Sequence, residues 1–287
     1  MSMRRTIDGR QLELFRARSG DIAARDAQDL MSWPFFSLAK SRRVTPIDFR
    51  MGEVSIRVEA TAEHGMATIW DADVLIWAAS QIVDARDRGL ATSRLMAATP
   101  YEILAFIGRT DSGLNYDRLK AALDRLQSTT VATSIRQPVE RRRHRFSWIN
   151  EWKERLDETG RPRGIELILP DWFYAGVLHD DLILTIDRDY FRLTGGLERW
   201  LYRLVRKHGG RQSGGWSFEV AHLHLKSGSL APLRRFRFEL RAIVRRQSLP
   251  GYHLALVADP DGRERLTFRP TRAAWIGTTR KLEQGTR

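Results

Sequence analysis

Two helix–helix–hairpin units in tandem, an α+β fold of the winged-helix kind (a helix-turn-helix variant), are predicted by three observations. The first is the stretch Pro232–Arg246, PLRRFRFELRAIVRR, with six arginines against one glutamate. Wound at 3.6 residues per turn, it puts Leu233, Phe236, Leu240, Ile243 and Val244 on one side and Arg234, Arg237, Arg241 and Arg245 on an adjoining one. The second is the segment directly after it: Leu249-Pro250-Gly251 ends the helix, and Tyr252–Ala258 and Glu264–Arg269 read as short strands around the turn Asp259–Gly262. The third is an earlier run of three helices and a hairpin in the same order. That order puts a final helix in the DNA major groove with a β-hairpin beside it.

From the N-terminus, residues 1–20 are polar and basic and are expected to form an arm. Asp21–Met31 suits a short helix capped by Asp21. Met31–Leu38, MSWPFFSL, is extended and aromatic, with Pro34 barring a helix. Gly52–Thr61 alternates as a strand, with Val54, Ile56 and Val58 on one face. Asp71–Asp87 is helical, with Leu75, Ala78, Ala79, Ile82 and Val83 inward. Thr99-Pro100-Tyr101-Glu102 opens a second helix, to about Ile107, as cap, first position and first-turn acid. Gly108–Gly113 turns the chain into a third helix, Leu114–Gln127, with Tyr116, Leu119, Leu123 and Leu126 inward. Thr129–Gln137 alternates as a strand, Arg141–Arg145 reads as a basic hairpin tip, and Phe146–Trp152 and Gly164–Leu169 read as strands. Asp187–Leu193 and Gly196–His208 read as helices, and Ser217 caps a further one to about Ser227. The units are therefore placed at 50–170 and 182–270, with an arm over 1–49, a connector over 171–181 and a mobile tail over 271–287.

Composition points to a polyanionic partner. The formal charge is +13, the isoelectric point is near 10.7, and 42 of the 48 basic residues are Arg. Arginine's planar fork matches phosphate oxygens and guanine edges. Nucleic acid is favoured over an anionic membrane, because no apolar run approaches the roughly 18 residues of a spanning helix. The first twenty residues lack the apolar core of a signal peptide. Cysteine is absent, which excludes disulfides, Cys-ligated zinc and thiol catalysis and fits a reducing cytoplasm. Nine Trp and twelve Phe can fill two cores.

The charged positions give the expected DNA contacts. On the arginine helix, Arg234, Arg237, Arg241 and Arg245 face the groove and Arg235 and Arg246 flank it, while Arg263 and Arg265 sit on the wing. Phe238 lies on the polar side and fits no clean pattern; packing against a neighbouring helix would account for it. In the first unit, Asn115, Arg118, Lys120 and Arg125 line the third helix, diluted by Asp117 and Asp124. Arg141, Arg142, Arg143 and Arg145 crowd the hairpin tip. The competing reading for each is a solvated charged face. His222-Leu223-His224, with Tyr190 or Tyr202 as nucleophile, matches a rolling-circle nicking centre only on a strand. Phe218, Ala221 and Leu225 recur at helical spacing, and alternate residues on a helix point about 200° apart. Gly108 and Gly113 form half a phosphate loop, with Leu114-Asn115 where Lys and Ser/Thr are needed. Asp180, Asp181, Asp187 and Asp189 make an acidic patch that could hold a divalent ion, but they are read as capping and solubilising. No catalytic residue, metal or cofactor is expected.

Arg25-Asp26-Ala-Gln28-Asp-Leu-Met31-Ser-Trp-Pro-Phe-Phe-Ser-Leu-Ala-Lys40 resembles the N-terminal signature of the plasmid replication initiator protein A family. Ile47-Asp48, Ile69-Trp70-Asp71-Ala-Asp73 and Leu249-Pro-Gly-Tyr252 resemble later segments of that family. The resemblance spans roughly 21–270 and is most specific at Trp33-Pro-Phe-Phe36. It implies a cytoplasmic bacterial initiator that binds origin repeats as double-stranded DNA, promotes opening and recruits host helicase or initiator proteins. It leaves self-association open. A winged-helix transcriptional repressor is the alternative.

Overall fold

The computed structural model describes residues 12–136, 144–160, 162–210 and 214–271. The first half runs β1 (Phe15–Arg16), β2 (Arg25–Ala27), α1 (Gln28–Ser32), β3 (Ile47–Met51), β4 (Val54–Glu59), α2 (Ala72–Asp87), β5 (Leu95–Ala98), α3 (Pro100–Phe106), α4 (Gly113–Ser128), β6 (Thr130–Thr133), β7 (His144–Ser147), β8 (Glu151–Leu156) and β9 (Pro162–Ile168). The second half runs α5 (Asp171–Leu178), β10 (Ile183–Thr185), α6 (Gly196–Gly209), β11 (Trp216–Glu219), α7 (Val220–Ser227), α8 (Leu233–Arg246), β12 (Tyr252–Ala258) and β13 (Glu264–Pro270). Short 3-10 turns lie at Asp180–Leu182 and Arg188–Arg192.

One arrangement occurs twice. A strand, two helices and a hairpin form a sheet of order β5-β9-β8 in the first half and β11-β13-β12 in the second. All these pairs are antiparallel, and a long helix precedes each set, α2 and α6. β1 extends the first of these sheets in parallel. The elements form where local chemistry asks for them. Thr99 and Glu102 close a capping box on α3 behind Pro100, and Ser112 caps α4. Gly228 ends α7 at φ 62°, and a Cβ there would stand 2.7 Å from Pro34.

Several expectations are corrected. Asp21–Met31 is not one helix: Arg25–Ala27 pairs with Ile183–Thr185, and only Gln28–Ser32 is helical. Phe146–Trp152 is split between two sheets by the buried Trp148 and Ile149. Ser217 lies in β11, and α7 starts at Val220. The connector contains α5. β6 and β7 pair with each other and join β3–β4 in a separate sheet of order β3-β4-β6-β7, with Arg145 on β7. The hairpin that corresponds to β12–β13 is β8–β9.

The aromatic stretch is the keystone. Phe35 and Phe36 are buried against Trp148, and Phe35 also meets Trp172, which stacks on Phe146 at 4.8 Å. Trp33 receives the Lys226 ammonium at 3.9 Å from its ring centre. α2 has thirteen of its sixteen residues buried, so it is a central helix and not an amphipathic surface one. α6 meets α2 and β2 through charge: Arg199 donates to both oxygens of Asp73 on α2 at 2.7 and 2.8 Å, and one turn on Arg203 donates to Asp26 on β2 at 2.6 and 3.0 Å. All four side chains are at most 2 % exposed. Arg199 also bonds the Leu193 and Phe191 carbonyls. Burial pushes the Asp73 carboxyl up to about 6 against the pull of Arg199.

Candidate nucleic-acid interface

α8 is held by its apolar back, with Phe236, Leu240 and Ile243 buried. Its last turn is fastened by Gln247, a non-glycine residue at φ 50°. The Gln247 amide donates to the Leu254 carbonyl at 2.8 Å and accepts from the Leu254 N–H at 2.9 Å. Those two bonds set the angle between helix and hairpin and offset the left-handed backbone.

The front of the helix is divided. Arg237 and Arg241 reach the hairpin, where Glu264 on β13 takes both, at 3.8 and 2.9 Å. Arg235 pairs with Glu239 at 2.8 Å, and Arg246 with Glu198 at 3.4 Å. Arg234, Arg245 and the exposed turn residue Arg263 make no ion pair among the described residues. Arg265 is half-buried and donates to Ser217 at 2.9 Å. Arg237, Arg241, Arg263 and Glu264 line a cleft of about 510 Å³ between helix and hairpin. Phe238 is 58 % exposed, with the Arg235 guanidinium 5.4 Å from its ring centre, and its covered side borders a cleft lined by Val44, Leu197 and Leu230.

The first unit presents a different face. α4 buries Leu119, Leu123 and Leu126 at the spacing of Phe236, Leu240 and Ile243. Aligning those positions puts Asp117, Lys120, Asp124 and Ser128 where α8 has Arg234, Arg237, Arg241 and Arg245. Lys120 is paired to Glu154 at 2.9 Å, and Asp124 accepts from the Trp152 indole at 3.1 Å. The Asn115 amide is occupied by Thr110, donating to its carbonyl at 2.9 Å and its hydroxyl at 3.0 Å. Arg125 does not lie on the outer side as expected: it donates to both oxygens of Asp71 at 2.7 Å, and that carboxylate is 4 % exposed. Arg118 alone of this set is exposed without an ion pair among the described residues. The β8–β9 hairpin adds no free cation among its described residues, since Lys153, Arg155 and Arg163 face Glu151, Glu166 and Asp157. Arg141, Arg142 and Arg143 lie outside the described residues, and Arg145 pairs with Glu59 at 2.8 Å.

The nicking constellation is not assembled. His222 and His224 stand on helix α7; His222 stacks on Phe218, and His224 Nε2 lies 2.7 Å from the Ala231 carbonyl. Tyr190 and Tyr202 are buried, which pushes both hydroxyls up, and Tyr202 accepts from the Asp187 N–H. No group of three metal-ligating side chains occurs among the described residues. Glu264 is a site residue that the sequence did not single out. Strand alternation carries its signal, because on β13 it lies on the face of the buried Leu266 and Phe268 and opposite to Arg265.

The pattern of the family described as "Replication initiator protein A" matches residues 25–254. A protein of Wigglesworthia glossinidia brevipalpis named "Putative replication protein" is 32% identical over 228 residues, covering 78% of this chain and 82% of that one. Among solved structures, domains 2 and 3 of RctB superpose with a TM-score of 0.63 at 17% identity, over 85% of this chain and 98% of that one. A second structure of RctB domains 2–3 gives 0.58 at 16% identity, over 87% and 99%. At that identity the likeness is one of fold.

Proposed function

The chain belongs to the replication initiator protein A family, and on that footing we propose that it binds repeats at a plasmid origin as double-stranded DNA through a winged-helix unit made of α7, α8 and β12–β13. One observation carries the reading: α8 is seated by its apolar back, Arg234, Arg241 and Arg245 of its front are exposed, and a hairpin stands beside it. α8 enters the major groove, with Arg234 and Arg245 free for bases or phosphates, and Arg263 reaches the backbone from the wing. The first unit repeats the strand order with a mixed, largely paired face, so it contributes less charge. The described residues of both units include no helix long and apolar enough to cross a membrane.

The protein acts without catalytic chemistry of its own. Additional protein–DNA bonds on the distorted duplex offset a bend of order 1–6 kcal/mol and favour opening of an adjacent AT-rich stretch, onto which host replication proteins load. The placement of His222, His224, Tyr190 and Tyr202 speaks against a nicking enzyme. The test uses the intact chain on supercoiled DNA flanking its own gene, reading footprint, strand opening and nicking together. A footprint with opening and no nick is the expected result. A footprint without opening makes the protein a repressor, a nick makes it an enzyme, and no footprint removes the reading.

A further inference from the structure

We propose that Phe238 reads thymine, by packing its ring on the C5-methyl group in the major groove. This rests on the reading of α8 as the groove-bound helix. A single exposed apolar side chain is ordinary on a protein surface, so the weight falls on its setting. Phe238 is 58 % exposed on a helix that has a well-filled apolar side of its own, Phe236, Leu240 and Ile243. Its neighbours along the same face, four residues before and three and seven after, are Arg234, Arg241 and Arg245. It therefore stands within the outward stripe, opposite the core, and in the N-terminal half of the helix. In helix-turn-helix proteins that half supplies the base contacts.

Two further details sharpen the assignment. Arg241 and Arg237 are drawn toward the wing by Glu264, which leaves the ring uncovered on that side. On the other side the Arg235 guanidinium lies 5.4 Å from the ring centre and is itself anchored by Glu239, which braces the ring against the helix. Arginine flanks can hold phosphates or guanine, and neither needs a phenyl ring between them. The thymine methyl is the apolar feature that a base pair offers in that groove. A braced ring among arginines fits a step in which thymine is flanked by guanine or by backbone.

The experiment compares the wild-type chain with Phe238→Ala and Phe238→Leu on the footprinted duplex and on a set in which each thymine in turn is replaced by deoxyuracil. That replacement removes only the methyl group. For the wild type, one or two uracil positions are expected to weaken binding about three- to five-fold, the equivalent of one buried methyl-sized group. Phe238→Ala is expected to bind the thymine duplex roughly ten-fold more weakly, to lose the difference between thymine and uracil at those positions, and to bind random DNA as the wild type does. Phe238→Leu retains part of the difference. An Ala variant with the wild-type uracil profile overturns the assignment while the DNA-binding reading stands. The ring would then belong to the neighbouring cleft that it lines with Val44 and Leu230, as a protein contact. Absence of duplex binding by every variant, with folding intact by circular dichroism, overturns the reading of α8 and this assignment together.

Discussion

Replacing Glu264 by Gln is expected to strengthen binding to random DNA while weakening the preference for the specific site. Glu264 sits between Arg237 and Arg241 on the face assigned to DNA, at 3.8 and 2.9 Å. Its carboxylate neutralises two of the four arginines in the stripe and itself repels phosphate. The substitution keeps size and hydrogen-bonding capacity and removes the charge. Because both pairs are partly exposed, their loss lowers stability by only about 0–1 kcal/mol. The freed guanidiniums are available for phosphates, and each phosphate neutralised steepens log K against log[salt] by about 0.9. Between 50 and 200 mM salt that adds a loss of roughly 3.5-fold for one new contact and about twelve-fold for two. Fluorescence anisotropy titrations of both proteins on a random duplex, across that salt range, read the slope directly. Discrimination should fall, because Glu264 now fixes where Arg237 and Arg241 point. An unchanged slope together with unchanged affinity would refute the placement of the Glu264 cleft against DNA.

Arg125→Ala should leave the salt slope untouched and lower stability by about 3 kcal/mol, because it strands the buried Asp71 carboxylate; Arg118→Ala should do the reverse, and paired melts and titrations decide. Asp73→Asn leaves Arg199 buried and half-paired and should cost about 3–5 kcal/mol, a fall in melting temperature of roughly 10 °C, whereas Asp73→Leu with Arg199→Met should recover most of it. His208 is lowered to about 4 by burial, with Lys226 and Lys207 adding to it. Its folded pKa lies below the unfolded 6.5, so the stability it contributes is complete above pH 6.5 and is lost as pH falls toward 4. Asp73, raised to about 6, contributes in the opposite sense over the same window, so the readout is the difference between proteins: His208→Gln should lose less stability than the wild type as pH falls from 6.5 to 4, and identical pH profiles of the two would sink the prediction.

What was legible in the sequence is what short-range chemistry sets. The spacing of Leu119, Leu123 and Leu126 and of Phe236, Leu240 and Ile243 placed α4 and α8 with their correct inward faces, because helical periodicity needs no distant partner. Thr99-Pro100-Glu102 and Leu249-Pro250-Gly251 marked ends for the same reason. The family signature pointed to the replication initiator protein A family, whose pattern matches residues 25–254. Only the tertiary structure decided which charges remain free. Asp71 removes Arg125 across 54 residues, Glu264 draws in Arg241 across 23, and Asp73 and Asp26 bury Arg199 and Arg203 across 126 and 177. The same holds for the hairpins: local alternation marked strands at Thr129–Gln137, Phe146–Trp152 and Gly164–Leu169, but the division of the second between β7 and β8, and pairing with β3–β4 or with β5, is settled by the sheet each one can complete. A guanidinium's reach and a strand's partner depend on what the fold brings beside them, and spacing along the chain carries no record of that.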